Sequence, residues 1–396
     1  MKLIDRETYL NKLINVRGTP DIKVITGIRR SGKSKLLEEY IEWIETHEPD
    51  ANVIYIDLTL LKFETLKEYH GLNEYIEGRF DRKKSNYVFI DEVQMCEQFE
   101  LTINSLYSTG QYDIYVTGSN AFLLSSDLAT LLTGRTYEIE VYPFSFSEFL
   151  SYYGSSDIQA NFDRYLKEGG MSGSYLYNEP EEKYKYLADI FNTLILRDIR
   201  QKYKIRNIAL MDKIAEFMMD NISNLTSARK IADTLTKNLD NINHKTVGAY
   251  LEYLCNAFAF YKVRRYDIRG KKYLTSNEKY YLSDHAFRYA KLGTRNLDYG
   301  RVMENIVAIE LKRRGYEIYV GVLYQKEIDF VAVKQNEKIY IQVSDDITNY
   351  MTFEREVDSL LKIKDAYPKL LIARTRHGRY QYEGIQIIDI AEWLST

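Results

Sequence analysis

Apolar and polar positions alternate differently in each third of the chain. In the first third, short apolar runs bounded by turn residues recur at 22–26 (IKVIT), 52–57 (NVIYID), 87–90 (YVFI), 113–117 (DIYVT) and 137–141 (YEIEV). Runs of this length read as buried strands, while intervals such as 35–44 carry helical spacing. Strands alternating with helices predict an α/β fold with a parallel sheet covered on both faces. Beyond Phe149 the pattern turns helical, with a glycine-rich segment at 169–173, read as a flexible break, before a strongly periodic helix at 184–198. Residues 225–232 open on a Ser/Thr cap and continue as a short helix. A polar turn at 238–243 leads to a second helix at 244–254, and strands at 260–266 and 279–284 flank the turn Gly270-Lys271-Lys272. The last part predicts a helix at 301–313 closed by Gly315, strands at 316–320, 328–333 and 338–343, a helix at 353–363, and strands at 369–373 and 385–388.

The first predicted strand runs straight into Gly27-Ile28-Arg29-Arg30-Ser31-Gly32-Lys33-Ser34, the full G-x-x-x-x-G-K-[ST] spelling, with Lys35 opening the helix. Gly27 and Gly32 let the backbone curl so that its N–H groups face phosphate oxygens, at a helix N-terminus that already favours anions. Lys33 then reaches the β- and γ-phosphates, and the Ser34 hydroxyl completes a magnesium shell. The strand at 87–90 ends in Asp91-Glu92. Asp91 fits the acidic partner of that magnesium, and Glu92 the base that polarises the attacking water. ATP and Mg²⁺ are the expected cofactors. Ser119 and Asn120 follow the strand at 113–117 and are candidates for sensing the γ-phosphate or holding the attacking water, with a helix cap as the competing reading. Arg135, held on the Gly134 turn before the fifth strand, is a candidate arginine finger, acting in its own subunit or in a neighbouring one.

The loop GIRRSGKS, the strand YVFIDEVQ, the turn TGSN and the run LLTGRTYEIEVYPFSFSEFL resemble a family of bacterial and archaeal AAA-type ATPases. Its members look like the extended AAA+ group, with a C-terminal winged helix and a restriction-endonuclease-like domain of unknown role. The resemblance implies that the strand at 113–117 inserts between the loop strand and the acidic strand, for a sheet order 5-1-4-3-2. It also implies a small helical lid, in which Gly169-Gly170 and Arg197-Asp198-Ile199 match family features. The chain then divides into an ATPase core at 1–145, a helical lid at 146–210, a winged helix at 211–300 and a restriction-endonuclease-like α/β domain at 301–396.

Helix, turn, helix and hairpin at 225–284 spell a winged helix, a variant of the helix-turn-helix plan. The chain as a whole has a net charge of −3, yet residues 225–275 hold ten Lys or Arg against four Asp or Glu, a net +6. Concentrated basic charge is what a phosphate-facing module requires. Lys245 and Thr246 at the start of the second helix, with Arg264, Arg265, Lys271 and Lys272 on the wing, are candidate contacts to duplex DNA. Packing against protein is the competing reading. The α-β-β-β-α-β order that follows resembles the restriction-endonuclease-like core. Active members of that class hold magnesium with a helix carboxylate, a strand Asp and an acidic-x-Lys on the next strand. Glu304 (or Glu310) and Asp329 match the first two places, but the third reads Gln342-Val343-Ser344. An amide stands for the carboxylate and a hydroxyl for the lysine, with no ammonium evident to orient water. The expectation is a vestigial site kept as a scaffold, without nuclease activity.

Hydrophobic residues at 45% and charged residues at 28% of 396 exclude disorder and coiled coil. Cys96 and Cys255 lie far apart and form no metal-like spacing, which favours a reducing compartment. The first residues carry charges of both signs, and no apolar run reaches about 20 residues, so a cytoplasmic protein with no membrane partner is expected. Thirty-six tyrosines stand out. Those on predicted strands (Tyr55, Tyr87, Tyr115, Tyr281, Tyr340) read as rings with a wet tip on half-buried sheet. Tyr261 and Tyr266, beside the wing arginines, are the candidate stacking pair. Together these features predict a Mg²⁺-dependent ATPase acting as a nucleotide-driven switch, DNA-associated through the winged helix and able to self-associate through the finger. The alternatives are an ATP-dependent DNA nuclease and a protein-interaction or signalling ATPase.

Overall fold

The computed structural model describes residues 4–118, 134–154, 156–236, 242–294 and 298–396. Its contacts fall into two units, Leu3–Val141 and Tyr142–Thr396. In the first, α1 (Glu7–Asn15) packs on α2 (Lys33–His47). Strands β1 (Ile22–Thr26), β2 (Ala51–Asp57), β3 (Ser85–Asp91), β4 (Tyr112–Thr117) and β5 (Thr136–Glu140) pair as a parallel sheet in the order β2-β3-β4-β1-β5. Counted from the other edge this is 5-1-4-3-2, the order the resemblance implied. Every residue of β1 is buried because helices cover both faces. On one face Val24, Val88, Ile90 and Val116 meet Leu72 and Ile76 of α3 (Tyr69–Glu77) and Ile103 and Leu106 of α4 (Phe99–Thr109). On the other, Tyr40 of α2 packs against Phe89 and Tyr115, ring centroids 6.0 and 5.2 Å away. Lys23 lies wholly buried within β1, its ammonium 2.6 Å from both the Thr19 carbonyl and the Asp113 carboxylate.

The second unit begins with α5 (Phe146–Tyr153), started by a capping box between Ser145 and Glu148. It continues with α6 (Ile158–Glu168) and α7 (Pro180–Thr193). The helix predicted over 184–198 thus begins earlier, at a proline suited to a first turn, and changes to π geometry over Leu194–Ile199 before Arg200–Tyr203. The glycine segment is fastened rather than flexible. Gly170 N–H donates to Asp284 at 2.7 Å, its carbonyl accepts from Phe144 N–H at 2.7 Å, and a Cβ there would lie 2.3 Å from the Phe144 carbonyl oxygen. Glycine is needed for that close approach.

Next come α8 (Ile208–Asp220), α9 (Ala228–Thr236), α10 (His244–Asn256), β6 (Phe260–Asp267), β7 (Lys272–Leu282), α11 (Ala286–Leu292) and α12 (Tyr299–Arg313). The hairpin β6–β7, read from sequence as a wing, continues a larger sheet. Strand β6 pairs in parallel with β8 (Glu317–Leu323), setting Arg265 beside Val320 and Tyr266 beside Gly321. With β9 (Lys326–Lys334), β10 (Glu337–Ser344), β11 (Lys369–Ala373), β12 (Tyr380–Tyr382) and β13 (Ile385–Asp389) the order is β12-β13-β11-β10-β9-β8-β6-β7. Helix α12 lies against β7, β8, β9 and β10, and α13 (Tyr350–Leu361) against β9, β10, β11 and β13. A short α14 (Ile390–Ser395) ends the chain. The predicted helix–strand order from residue 301 is present, while β12 and α14 carried too little periodicity to be read.

Three strand tyrosines expected to keep a wet tip are fully buried. The Tyr115 hydroxyl donates to Asp113, that of Tyr281 to Glu304 and that of Tyr340 to Asp365. A buried phenol needs such a partner, and each of these finds a carboxylate. Among the described residues no helix is long and apolar enough to cross a membrane.

Candidate functional site

Strand β1 delivers the chain into the phosphate loop, and α2 receives it at Lys33. Gly27 and Gly32 both take positive φ, 132° and 98°. A Cβ on Gly27 would sit 2.2 Å from the Val141 carbonyl oxygen, so only glycine lets the loop cross β5's exit. Arg30 is also left-handed, at φ 67°. Ile28, Ser31 and Lys33 are buried, Arg29 and Ser34 partly so, and Arg30 and Lys35 point outward. The Lys33 ammonium curls over the loop, 3.0 Å from the Gly27 carbonyl and 3.1 Å from that of Ile28. A residue the sequence did not suggest braces the loop from outside: the buried Arg6, at the N-cap of α1, donates to the Ser31 carbonyl at 2.9 Å.

Asp91 ends β3 beside the first turn of α2, where the Ser34 hydroxyl hydrogen-bonds its carboxylate. Burial raises the Asp91 pKa, hydrogen bonds from Ser34 and Thr117 oppose the rise, and the Glu92 charge adds to it. A desolvated carboxylate next to a hydroxyl at a helix N-terminus is the oxygen donor set that Mg²⁺ takes, so the residues fit that ion. Glu92 follows in the left-handed region (φ 54°), a sparsely populated conformation for a non-glycine residue. Its orientation is set by Thr117 at the end of β4. The Thr117 hydroxyl donates to Asp91 and accepts from Glu92 N–H at 3.0 Å, and Gln94 donates to the Glu92 carboxylate. Thr117 therefore positions both acids. Ser119 and Asn120, the candidates for sensing the γ-phosphate or holding the attacking water, lie outside the described residues. Arg135 is exposed, its guanidinium 3.5 Å from Asn104 Oδ1 and 5.1 Å from the Tyr107 ring centroid.

In the second unit, Lys245, Arg264, Lys271 and Lys272 are exposed, and Thr246 and Arg265 half-buried. Of the two candidate stacking tyrosines, Tyr261 is buried and Tyr266 half-buried. Tyr261 is buried against Tyr142, whereas Tyr266 packs on Tyr273 and Tyr319.

The C-terminal carboxylates come together as expected, with a partner that was not. Glu304 of α12 and Asp329 of β9 face one another, and between them lies the ammonium of Lys279, 97% buried, delivered by β7. It sits 2.8 Å from Glu304, 2.7 Å from Glu327 and 3.6 Å from Asp329. The expectation that no ammonium replaces the lysine absent at Ser344 is thus corrected. Lys279 comes from a strand placed, on sequence, in another module. Glu310 is not part of this group, being paired with Arg313 and Arg314. Gln342 spans the site's floor, its Oε1 accepting from Asp329 N–H at 3.3 Å and its Nε2 donating to Glu356 at 2.8 Å. Burial and the Glu304 charge push Asp329 up to about 8, against Lys279 and the Val343 N–H. Burial lowers the Lys279 pKa, but the three carboxylates more than reverse that and hold it above its ordinary value. Among the described residues no group of three or more His, Cys, Asp or Glu is placed to hold a metal ion. The ammonium is held in ion pairs with Glu304 and Glu327.

Residues 19–150 match the model of an AAA domain, and residues 159–298 that of a domain of unknown function (DUF8612). An uncharacterized protein of Haemophilus influenzae is 38% identical over 99% of this chain and 98% of its own length. An uncharacterized protein of Methanocaldococcus jannaschii is 27% identical over 98% of this chain and 89% of its own. Among solved structures, the Walker-type ATPase PABY2304 of Pyrococcus abyssi covers 73% of this chain and 96% of its own, at 18% identity and a TM-score of 0.49.

Proposed function

We propose that this chain, which belongs to one family with the Haemophilus influenzae protein and is an AAA-type P-loop ATPase, hydrolyses ATP with Mg²⁺ as a nucleotide-driven switch associated with duplex DNA. The observation that carries the reading is the Ser34–Asp91–Thr117–Glu92 linkage, which sets both acids against the phosphate loop. Backbone N–H groups of residues 27–34 and the Lys33 ammonium bind the triphosphate. Ser34 and Asp91 would hold Mg²⁺, which supplies charge neutralisation at the β- and γ-oxygens. Glu92, aimed by Thr117, takes the proton of the attacking water. Arg135, exposed just before β5, stabilises transferred-phosphate charge in its own subunit or in a neighbouring copy, and the second arrangement makes self-association part of the proposal. Ser119 and Asn120 remain proposed γ-phosphate contacts.

Duplex DNA is supported by the exposed Lys245, Arg264, Lys271 and Lys272 in the +6 segment, read as a winged helix at 211–300. The segment at 146–210 serves as lid. The restriction-endonuclease-like part, 301–396, is read as a scaffold, because Lys279 balances its carboxylates internally. The test is phosphate release measured with and without duplex DNA, with Glu92→Gln as control. Stimulation by DNA that is lost in Glu92→Gln supports the switch. Hydrolysis indifferent to DNA, with no DNA binding at low salt, favours the protein-interaction ATPase. Nicking abolished by Asp329→Ala favours the nuclease.

A further inference from the structure

The eight-stranded sheet is not covered evenly. On the face that carries α13, the helix lies over β9, β10, β11 and β13, and toward the β7 edge the surface is tiled by tyrosine rings instead. Tyr266 of β6, Tyr273 of β7 and Tyr319 of β8 meet pairwise, with ring centroids 5.1 Å apart for Tyr273–Tyr319, 5.6 Å for Tyr266–Tyr273 and 6.1 Å for Tyr266–Tyr319. Tyr266 and Tyr273 face each other across one hairpin, and Tyr319 joins them because β6 pairs with the distant β8. The Lys338 ammonium of β10 continues the patch, 5.9 Å from the Tyr266 ring and 4.5 Å from that of Tyr367. Tyr273 is 61% exposed and Tyr367 43%, far beyond what packing within the sheet requires.

We propose that this tyrosine–lysine surface binds single-stranded nucleic acid, bases stacking on Tyr273, Tyr266 and Tyr319 while phosphates meet Lys338 and the basic turn beside Tyr273. Charge selects the occupant. Lys338 forms no ion pair among the described residues, Lys271 and Lys272 adjoin Tyr273, and the hairpin lies in the +6 segment. A second copy of the same surface would bring these cations against each other, whereas a polyanion neutralises them. Flat ring faces can engage only bases whose own faces are open, so the nucleotides seated on the rings are unpaired, while Lys271 and Lys272 at the patch's border can meet phosphates of a single strand or a duplex. The inference is independent of ATP hydrolysis, since no residue of the phosphate loop enters it.

The experiment is fluorescence anisotropy of a labelled single strand of about 20 nucleotides against the full chain without nucleotide, at low and moderate salt, beside the same sequence as duplex. Tyr273→Ala should weaken single-strand binding about tenfold, and Tyr273→Phe, which keeps the ring, by less than about twofold. Lys338→Gln should flatten the salt dependence by about 0.7 in the logarithmic slope. Because Tyr273 is largely exposed, circular dichroism should show both tyrosine variants folded. Single-strand affinity unchanged by Tyr273→Ala, or absent at low salt, overturns the proposal. So does loss of a dimer in Tyr273→Ala, or tighter binding of a proline-rich peptide than of the oligonucleotide.

Discussion

At the phosphate loop the ammonium of Lys33 rests on two carbonyls of its own loop, whereas at the eight-stranded sheet the ammonium of Lys279 rests among three carboxylates drawn from a helix and another strand. An ammonium on neutral carbonyls can exchange them for phosphate oxygens with little penalty, because one set of acceptors replaces another. An ammonium that balances buried carboxylates cannot leave without stranding them. The loop is therefore built for exchange with a ligand and the cluster for permanence. Function should be sensitive to the first centre, and folding to the second.

The largest effect expected separates them in activity. Glu92→Gln should lower ATP hydrolysis about 10²–10⁴-fold while leaving ATP affinity and the urea midpoint near those of the unaltered protein. Phosphate release, nucleotide binding and urea unfolding, run side by side, test this. A comparable loss of stability would break the contrast. Next, Lys279→Met should destabilise the fold by about 3–5 kcal/mol, because Glu304 is left buried without its counter-charge. Adding Glu304→Gln to the same chain should restore part of that loss. A urea midpoint unmoved by Lys279→Met would show that the ammonium does not hold the cluster together.

The same contrast explains what could be read in advance. The loop is eight consecutive residues whose glycines and lysine answer to local backbone geometry, so its spelling alone placed Gly27 to Ser34 and predicted the helix that follows. Asp91 and Glu92 were legible because they end an apolar strand. Thr117 was not, since a threonine at a strand end is an ordinary β-former. Its role arises from the alignment of β3 with β4, which sets Ile90 beside Val116. Lys279 was hidden by topology. It became visible only once β6 paired with β8 and carried β7 over α12, where Asn305 clasps the Leu282 backbone through both N–H and carbonyl. One signal was available: a lysine set directly before Tyr280-Tyr281-Leu282, in a run that otherwise reads as buried strand. The glycine segment misled for a related reason. Gly170 is there to admit the Phe144 backbone, a requirement that composition cannot distinguish from flexibility.

A smaller effect sharpens the functional side. Thr117→Val removes the hydroxyl that joins Asp91 to the Glu92 amide, in a side chain of nearly the same shape. Hydrolysis should fall about tenfold, the size of one hydrogen bond to a charged group, with little change in nucleotide affinity. An unchanged rate would show that the Thr117 hydroxyl does not aim Glu92.

The last effect lies in the pH dependence of the second centre. Asp329 is held at about 8 in the folded chain, first by burial and then by Glu304, while an unfolded aspartate titrates near 3.8. Its folded pKa is raised, so its contribution to stability is fully present below about 4 and is lost as pH rises toward about 8. Across that window the folded chain holds a proton that the unfolded chain has released, and the free energy of unfolding falls by about 1.4 kcal/mol per pH unit for one such group. Glu304 is shifted in the same direction by burial, so the two acids share the response. Urea midpoints between pH 5 and pH 8 should therefore decline less steeply in the Asp329→Asn variant, which cannot take up the proton, and the two curves should run parallel above about 8. Parallel curves throughout would mean that Lys279 fully offsets both carboxylates at neutral pH. The cluster would then be a balanced pair of charges rather than an ammonium sharing its site with a retained proton.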